Sequence, residues 1–113
     1  IFVFFFNTYF KQGVSIAIMI DQRVSEGEKI IFFNHHAYTT TIPAQFVKKF
    51  GCKIQPVHIQ RYNKIYFKIA FDEQISIEKN TNIDSISIKL NQWLENKIRK
   101  NPSQWIWTHD RWK

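Results

Sequence analysis

Apolar and polar positions along the chain follow two periods, which predict strands and helices in turn. Residues 14–20 form a nearly continuous apolar run rich in β-branched side chains, and Asp21 ends it. Such a run is typical of a strand buried on both faces of a parallel sheet. After a polar loop, residues 30–33 predict a short second strand or turn. Residues 65–71 alternate with a period of two, which indicates a half-exposed strand.

Two further segments carry the spacing of amphipathic helices. Thr41 can cap the first one, Pro43 loses no hydrogen bond near its start, and Gly51 supplies its stop. A strand is predicted over residues 53–61, with Pro56 favouring an edge position or a late start. Residues 83–98 predict the second helix, which ends before Asn101-Pro102. The order of elements predicts an α/β fold.

Length and composition limit what the chain can be. Its 113 residues make at most one domain, and 44% hydrophobic residues are enough for a core. Cys52 is the one cysteine, so no internal disulfide can form. No run of about 20 apolar residues is present to span a bilayer as a helix. The net charge of +7 favours polyanionic partners: nucleic acid, anionic lipid headgroups, phosphorylated substrates or an acidic carrier protein.

Few residues suggest chemistry by themselves. Asp21 and Gln22 follow the most apolar predicted strand, where ligands collect in α/β sheets, although an Asp in that position is also a common turn residue. His35 and His36 would point to opposite faces of a strand and so favour a surface role over metal binding. Cys52 follows a predicted helix end, where the helix dipole opposes a thiolate, and is interpreted as packing.

The tail combines tryptophans with cations and allows three interpretations. Trp105, Trp107 and Trp112 alternate with basic residues, among them Arg111. They could stack on single-stranded nucleic acid, or they could lie at a bilayer interface while the cations meet the headgroups. They could also simply close the core of a small domain, and we expect this for at least one of them.

Several segments taken in order resemble the bacterial lipid A biosynthesis acyltransferases, the lauroyl/myristoyl transferases of the lysophospholipid acyltransferase superfamily. Early blocks are Asp21-Gln22, Phe32-Phe33 with Ala37 and Thr39, Pro43-Ala44, and Pro56-Val57 before Arg61. The end resembles the family's closing signature, which we use as a name for these residues: Leu90-Asn91, Leu94-Glu95, Ile98-Arg99, Pro102, Gln104-Trp105, Trp107, His109 and Arg111-Trp112-Lys113. The resemblance covers roughly residues 11–113, while residues 1–10 form a divergent apolar N-terminal segment.

The resemblance implies a fold and an activity. The fold is the C-terminal portion of a lysophospholipid/glycerol-3-phosphate acyltransferase-like domain, with a mixed sheet and flanking helices. The activity is transfer of a fatty acyl chain, usually from acyl carrier protein, to a hydroxyl of a lipid A precursor, with a histidine as general base. In the family a carboxylate follows that histidine by five positions. Here Thr40, Thr41 and Asn63 follow His35, His36 and His58 at that distance, and the sequence ends before that distance from His109 is reached.

We therefore expect the C-terminal part of an acyltransferase that lacks the catalytic motif and is inactive by itself. Asp21, Gln22 and Arg61 are the expected active-site crevice residues, with Arg61 suited to a phosphate or to the carrier's phosphopantetheine. Trp105, Trp107, Arg111 and Trp112 are the expected membrane contacts. No cofactor, metal or specific nucleic acid is expected, and the expected location is the cytoplasmic face of the inner membrane. The alternatives are a nucleic-acid-binding module and a non-enzymatic interaction domain.

Overall fold

Four strands and two helices make up the regular structure of the computed structural model, which describes residues 10–113. The expected α/β class is confirmed, and the strands form two antiparallel pairs. In chain order the elements are β1 (Glu28–Phe32), β2 (His35–Thr39), α1 (Ile42–Phe50), β3 (Val57–Tyr62), β4 (Tyr66–Phe71), α2 (Ile83–Lys100) and a 3₁₀ turn (Pro102–Gln104). Of the expected N-terminal segment, residues 1–9 lie outside the described residues, so that boundary stays a prediction.

The strand predicted over residues 14–20 is wrong. The structure assigns no strand there, and the side chains are exposed or half-exposed, with Met19 73% exposed. A strand needs the backbone of a partner, and no strand within residues 10–113 pairs with this segment. The apolar pattern indicates that the segment tends to be buried, but it does not identify which strand would pair with it. Asp21 consequently follows an unpaired segment and not a strand end.

The β1–β2 hairpin is closed by a two-residue turn with an unusual first residue. Phe33 and Asn34 both have positive φ, at 49° and 62°, as a type I′ turn requires. Asparagine accepts this conformation readily, whereas a bulky residue such as phenylalanine rarely does. α2 holds Phe33 in place, because Glu95 Oε1 accepts the Phe33 N–H at 2.7 Å and Arg99 lies 4.9 Å from the centre of its ring. Tertiary contacts therefore stabilise this turn.

Helix α1 begins and ends close to the predicted positions, but the predicted cap is different. Gly51 ends the helix with φ of 62°, a left-handed conformation that glycine adopts freely. Thr41 makes no capping bond with its side chain. Its Oγ1 instead accepts from Gln45 Nε2 at 2.9 Å, and Thr40 Oγ1 accepts the Ile42 N–H at 3.4 Å. The neighbouring threonine thus takes over part of the expected role.

Helix α2 joins two apolar clusters and carries most of the core. Its first half packs with α1 in an aliphatic cluster around Ala44, Ile86 and Leu90. Its second half packs against the first hairpin in an aromatic cluster that contains Phe32, Ala37, Leu94 and Ile98, with Phe33, Trp93, Trp105 and Trp112 against it. The predicted apolar stripe of this helix is confirmed, as are its stop at Asn101 and the late start of β3 after Pro56.

Candidate functional site

A cavity of about 360 Å³ lies between β3, the second half of α2 and the segment that leads into Asp21. It brings Asp21 together with four residues of the closing signature, Leu94, Ile98, Gln104 and Trp105, which lie 73 to 84 positions away along the chain. A larger hollow of about 570 Å³, beside the end of α1, holds none of the predicted site residues. The residues around the first cavity are Ile18, Met19, Ile20, Asp21, Val57, His58, Ile59, Gln60, Trp93, Leu94, Lys97, Ile98, Asn101, Gln104 and Trp105.

Asp21 is half-buried at the wall of this cavity, and its negative charge affects the buried Arg111. Burial lowers the pKa of the Arg111 guanidinium from its ordinary value, and the charge of Asp21 partly opposes that change. The loop that follows Asp21 is tied to the tail as well, because the Arg23 N–H donates to His109 Nε2 at 3.3 Å. The Asp21 segment therefore lies next to the closing signature.

Arg111 lies in the interior and is not a surface cation. Its side chain is fully buried, and its Nη1 donates to the carbonyl oxygen of Tyr38. Nη2 donates to Thr39 Oγ1 at 2.9 Å, and the guanidinium lies 5.4 Å from the centre of the Phe32 ring. The expected membrane contact of Arg111 is thus contradicted, because the guanidinium fork is used to bind β2 from the side.

The tryptophans of the tail divide into two groups. Trp105 and Trp112 are half-buried against Phe32, with ring centres at 6.2 and 5.4 Å, and Trp112 Nε1 donates to the Phe32 carbonyl at 3.1 Å. They close the aromatic cluster, as expected for at least one of these residues. Trp107 is 54% exposed, although its Nε1 donates to the Pro102 carbonyl at 2.8 Å. Trp107 is therefore the tail indole with most surface free for a partner.

Arg61 is attached to the closing signature through its backbone. The Gln104 side chain accepts the Arg61 N–H at 2.9 Å and donates to the Arg61 carbonyl at 3.0 Å, which resembles the pairing of one strand residue with another. The guanidinium itself is exposed. Gln22 is also exposed and lies outside the cavity lining. Of the three predicted crevice residues, only Asp21 lines the cavity.

The residues around Asp72 escaped the analysis of the sequence. Asp72 Oδ2 accepts from Trp93 Nε1 at 2.8 Å and forms an ion pair with Lys97 Nζ. The hydrogen bond from Lys97, followed by that from Trp93, holds the pKa of Asp72 below its usual range. Trp93 and Lys97 lie four positions apart in the sequence, which predicts that they share one face of the helix. Nothing in the local sequence connects that face to Asp72, which lies in the loop after β4.

His58 lies near Asp72 without forming a catalytic pair. Its Nδ1 is 3.6 Å from Asp72 Oδ1, which is longer than a hydrogen bond, and the carboxylate is already bound by Lys97 and Trp93. A general base needs a partner that orients its imidazole. This geometry gives no reason to assign a general-base role to His58.

The other reactive side chains are not assembled into a site. His35 and His36 are exposed, and burial raises the pKa of the Cys52 thiol, which makes it less reactive. Within residues 10–113, no group of three or more His, Cys, Asp or Glu side chains is placed to hold a metal ion. No helix in that range has the length and apolarity needed to cross a membrane.

Comparison with known proteins shows what the chain is similar to. The family model described as bacterial lipid A biosynthesis acyltransferase matches residues 6–113. A comparison with individually curated proteins gave no match. The matched range contains both the Asp21 segment and the closing signature, which the structure brings together at the cavity.

Replacing Arg111 tests whether it anchors the hairpin. We expect Arg111→Met to lower the free energy of unfolding by about 1–3 kcal/mol, because the Tyr38 carbonyl and Thr39 hydroxyl lose their donor. Urea unfolding followed by tryptophan fluorescence measures this. The exposed Lys113→Met variant is the matched control, with an expected change within about 0.5 kcal/mol. Equal stability of the two variants would contradict the anchoring role.

The ion pair of Asp72 predicts a pH-dependent contribution to stability. Since the fold lowers this pKa, folding favours the carboxylate, so the contribution is complete above the unfolded pKa of about 3.9 and is lost as pH falls through the folded value. We expect Asp72→Asn to be less stable than the unmodified chain at pH 6, with the difference shrinking below about pH 4. Thermal unfolding across pH measures it, with the exposed neighbour Glu73→Gln as control. A difference that stays constant down to pH 2 would refute the assignment.

Proposed function

Since the chain belongs to the bacterial lipid A biosynthesis acyltransferase family, we propose that it forms part of an enzyme that transfers a fatty acyl chain from acyl carrier protein to a hydroxyl of a lipid A precursor. The observation that carries this proposal is the family match over residues 6–113. The convergence of Asp21, Gln104 and Trp105 on one cavity supports it. In this enzyme the chain provides scaffold and one wall of the crevice.

The base for this reaction lies outside the 113 residues. Attack by an acceptor hydroxyl on an acyl thioester requires a group that removes its proton. Thr40, Thr41 and Asn63, none of them acidic, stand five positions after His35, His36 and His58. His58 is not oriented by Asp72, as its distance of 3.6 Å indicates. We therefore propose that these residues alone do not catalyse the transfer.

The composition of the cavity wall suits a substrate with apolar and polar parts. Aliphatic side chains on two segments, including Ile18, Ile20 and Leu94, form much of the wall, and Asp21 and Gln60 add polar groups. An acyl chain can lie along the first set, while a hydroxyl or headgroup meets the second. Asp21 is the residue proposed to lie near the reacting groups. Arg61, exposed beside the Gln104 contact, is proposed to meet a phosphate of the acceptor or of the carrier's phosphopantetheine.

The proposed location is the cytoplasmic face of the inner membrane. Ile106 and Trp107 at the tail are 70% and 54% exposed, which suits contact with the bilayer interface. Arg111 no longer belongs to that contact, since it is buried. The alternative of a nucleic-acid-binding module is weakened, because Trp105 and Trp112 use their faces to pack against Phe32. They are not free to stack on bases.

An acyl transfer assay tests the proposed function. Radiolabelled acyl–acyl carrier protein and a lipid A precursor are incubated with the 113-residue chain, and with the same chain joined to a family segment that carries the histidine motif. We expect transfer only in the second case, because only that protein contains the general base. Transfer by the chain alone would show that the base lies within it. Failure of the joined, folded protein would count against the acyltransferase assignment.

The role of Asp21 is tested in the joined protein. We expect Asp21→Asn to lower kcat/KM about tenfold or more, the range for a group that positions or activates a reacting atom. Asp84→Asn is the matched control, since Asp84 is exposed on the first turn of α2 and lies outside the cavity. Unfolding measurements on both variants separate loss of activity from loss of structure. An Asp21→Asn enzyme with unchanged kinetics would remove Asp21 from the site.

A further inference from the structure

The β3–β4 hairpin has two faces with different surroundings. In its register Val57 pairs with Phe71, Ile59 with Ile69, and Arg61 with Phe67. Directly opposed residues of antiparallel strands share a face, so these six side chains form one face, which we call the open face. The opposite face turns toward the rest of the chain, where His58 approaches Asp72 and Gln60 donates to Asn101 Oδ1 at 3.2 Å.

The open face is apolar and lies in solvent. Ile59 and Phe67 are each 64% exposed and Phe71 is 73% exposed, while Ile65 at the turn is 74% exposed. Single exposed apolar residues are common in proteins, but a contiguous group of large ones marks an interaction surface. The hydrogen bond from Gln60 to Asn101 and the approach of His58 to Asp72 fix which side of the ribbon is presented.

Two cations accompany the open face. Arg61 belongs to it and Lys64 lies at the exposed turn, whereas Lys68 pairs with Gln60 on the opposite face. Residues 57–71 contain no aspartate or glutamate. Apolar side chains with cations at one end of the ribbon match an anionic bilayer surface, where acyl chains lie beneath charged headgroups.

We propose that the open face of the β3–β4 hairpin docks on the surface of an anionic lipid bilayer. The apolar side chains enter the boundary between headgroups and acyl chains, while Arg61 and Lys64 contact the headgroups. The ribbon lies flat at the interface, because the unpaired backbone groups of an open two-stranded sheet could not be satisfied within the hydrocarbon. A second copy of the chain is a poorer occupant, since two such ribbons would bring like charges together without an acidic partner.

This contact goes beyond the proposed function, since it requires neither acyl transfer nor the exposed Trp107. It gives the chain a second lipid-binding element on a different part of the fold. Its failure would leave the family assignment unchanged, because that rests on the match over residues 6–113, and would leave the proposed role of Asp21 unchanged.

Vesicle flotation of the full 113-residue chain tests the proposal. Vesicles contain either a mixture of phosphatidylglycerol and phosphatidylcholine or phosphatidylcholine alone. We expect partitioning onto the first that weakens as salt rises, and about tenfold weaker partitioning for Phe67→Gln, which withdraws one aromatic side chain from apolar contact. Lys64→Gln is expected to weaken binding about fivefold on the anionic vesicles only. Circular dichroism confirms that these surface variants fold.

Matched controls and a label locate the contact. Val14→Gln removes an apolar residue that is 47% exposed off the ribbon, and Lys79→Gln removes an exposed cation outside it; neither is expected to change partitioning more than twofold. In a Cys52→Ala background, an environment-sensitive fluorophore on Ile65→Cys is expected to shift to the blue with anionic vesicles, and one on Lys79→Cys is not. Equal effects of Phe67→Gln and Val14→Gln, or a dimer that Phe67→Gln dissociates, would overturn the proposal.

Discussion

The first hairpin depends on hydrogen bonds that it cannot make for itself. A two-stranded ribbon is marginal in water, because each strand leaves one edge unpaired. Here side chains from α2 and the tail bind those edges: Asn91 Nδ2 donates to the Ile31 carbonyl at 2.9 Å, Trp112 donates to Phe32, and Arg111 donates to Tyr38. Each such bond contributes about 1 kcal/mol net, but a buried group left without its partner costs about 1–3 kcal/mol. The hairpin, α2 and the tail therefore form one unit.

This dependence explains how much of the closing signature serves structure. Asn91, Glu95 and Arg111 bind the hairpin, Gln104 binds β3, and His109 accepts from the loop after Asp21. A single set of residues thus connects both hairpins and the cavity wall. A change in the tail would move Asp21 as well as weaken the core. The signature is best understood as the frame on which the candidate crevice is built, which is consistent with the membership of this chain in an acyltransferase family.

The net charge of +7 is divided between two uses. Arg111 and Lys97 are held by partners inside or beside the core, where they bind carbonyl, hydroxyl and carboxylate oxygens. Lys64 and Arg61 are exposed on the apolar β3–β4 hairpin. Burying the first group costs free energy, which its hydrogen bonds offset. The second group is exposed and can interact with an anionic surface. Counting charges does not distinguish them; only their position in the fold does.

The sequence by itself determined the elements whose signals are local. The spacing of apolar residues in α2, the stop at Gly51 and the late start of β3 after Pro56 follow from periodicity and backbone stereochemistry, and the ordered motifs identified the family. Tertiary structure decided the rest. The segment before Asp21 has no strand partner within residues 10–113, Arg111 points inward, and Asp72 meets Trp93 and Lys97. Each of these depends on groups far apart in the chain, and a pattern of neighbours carries no information about which distant backbone or side chain will supply the missing partner.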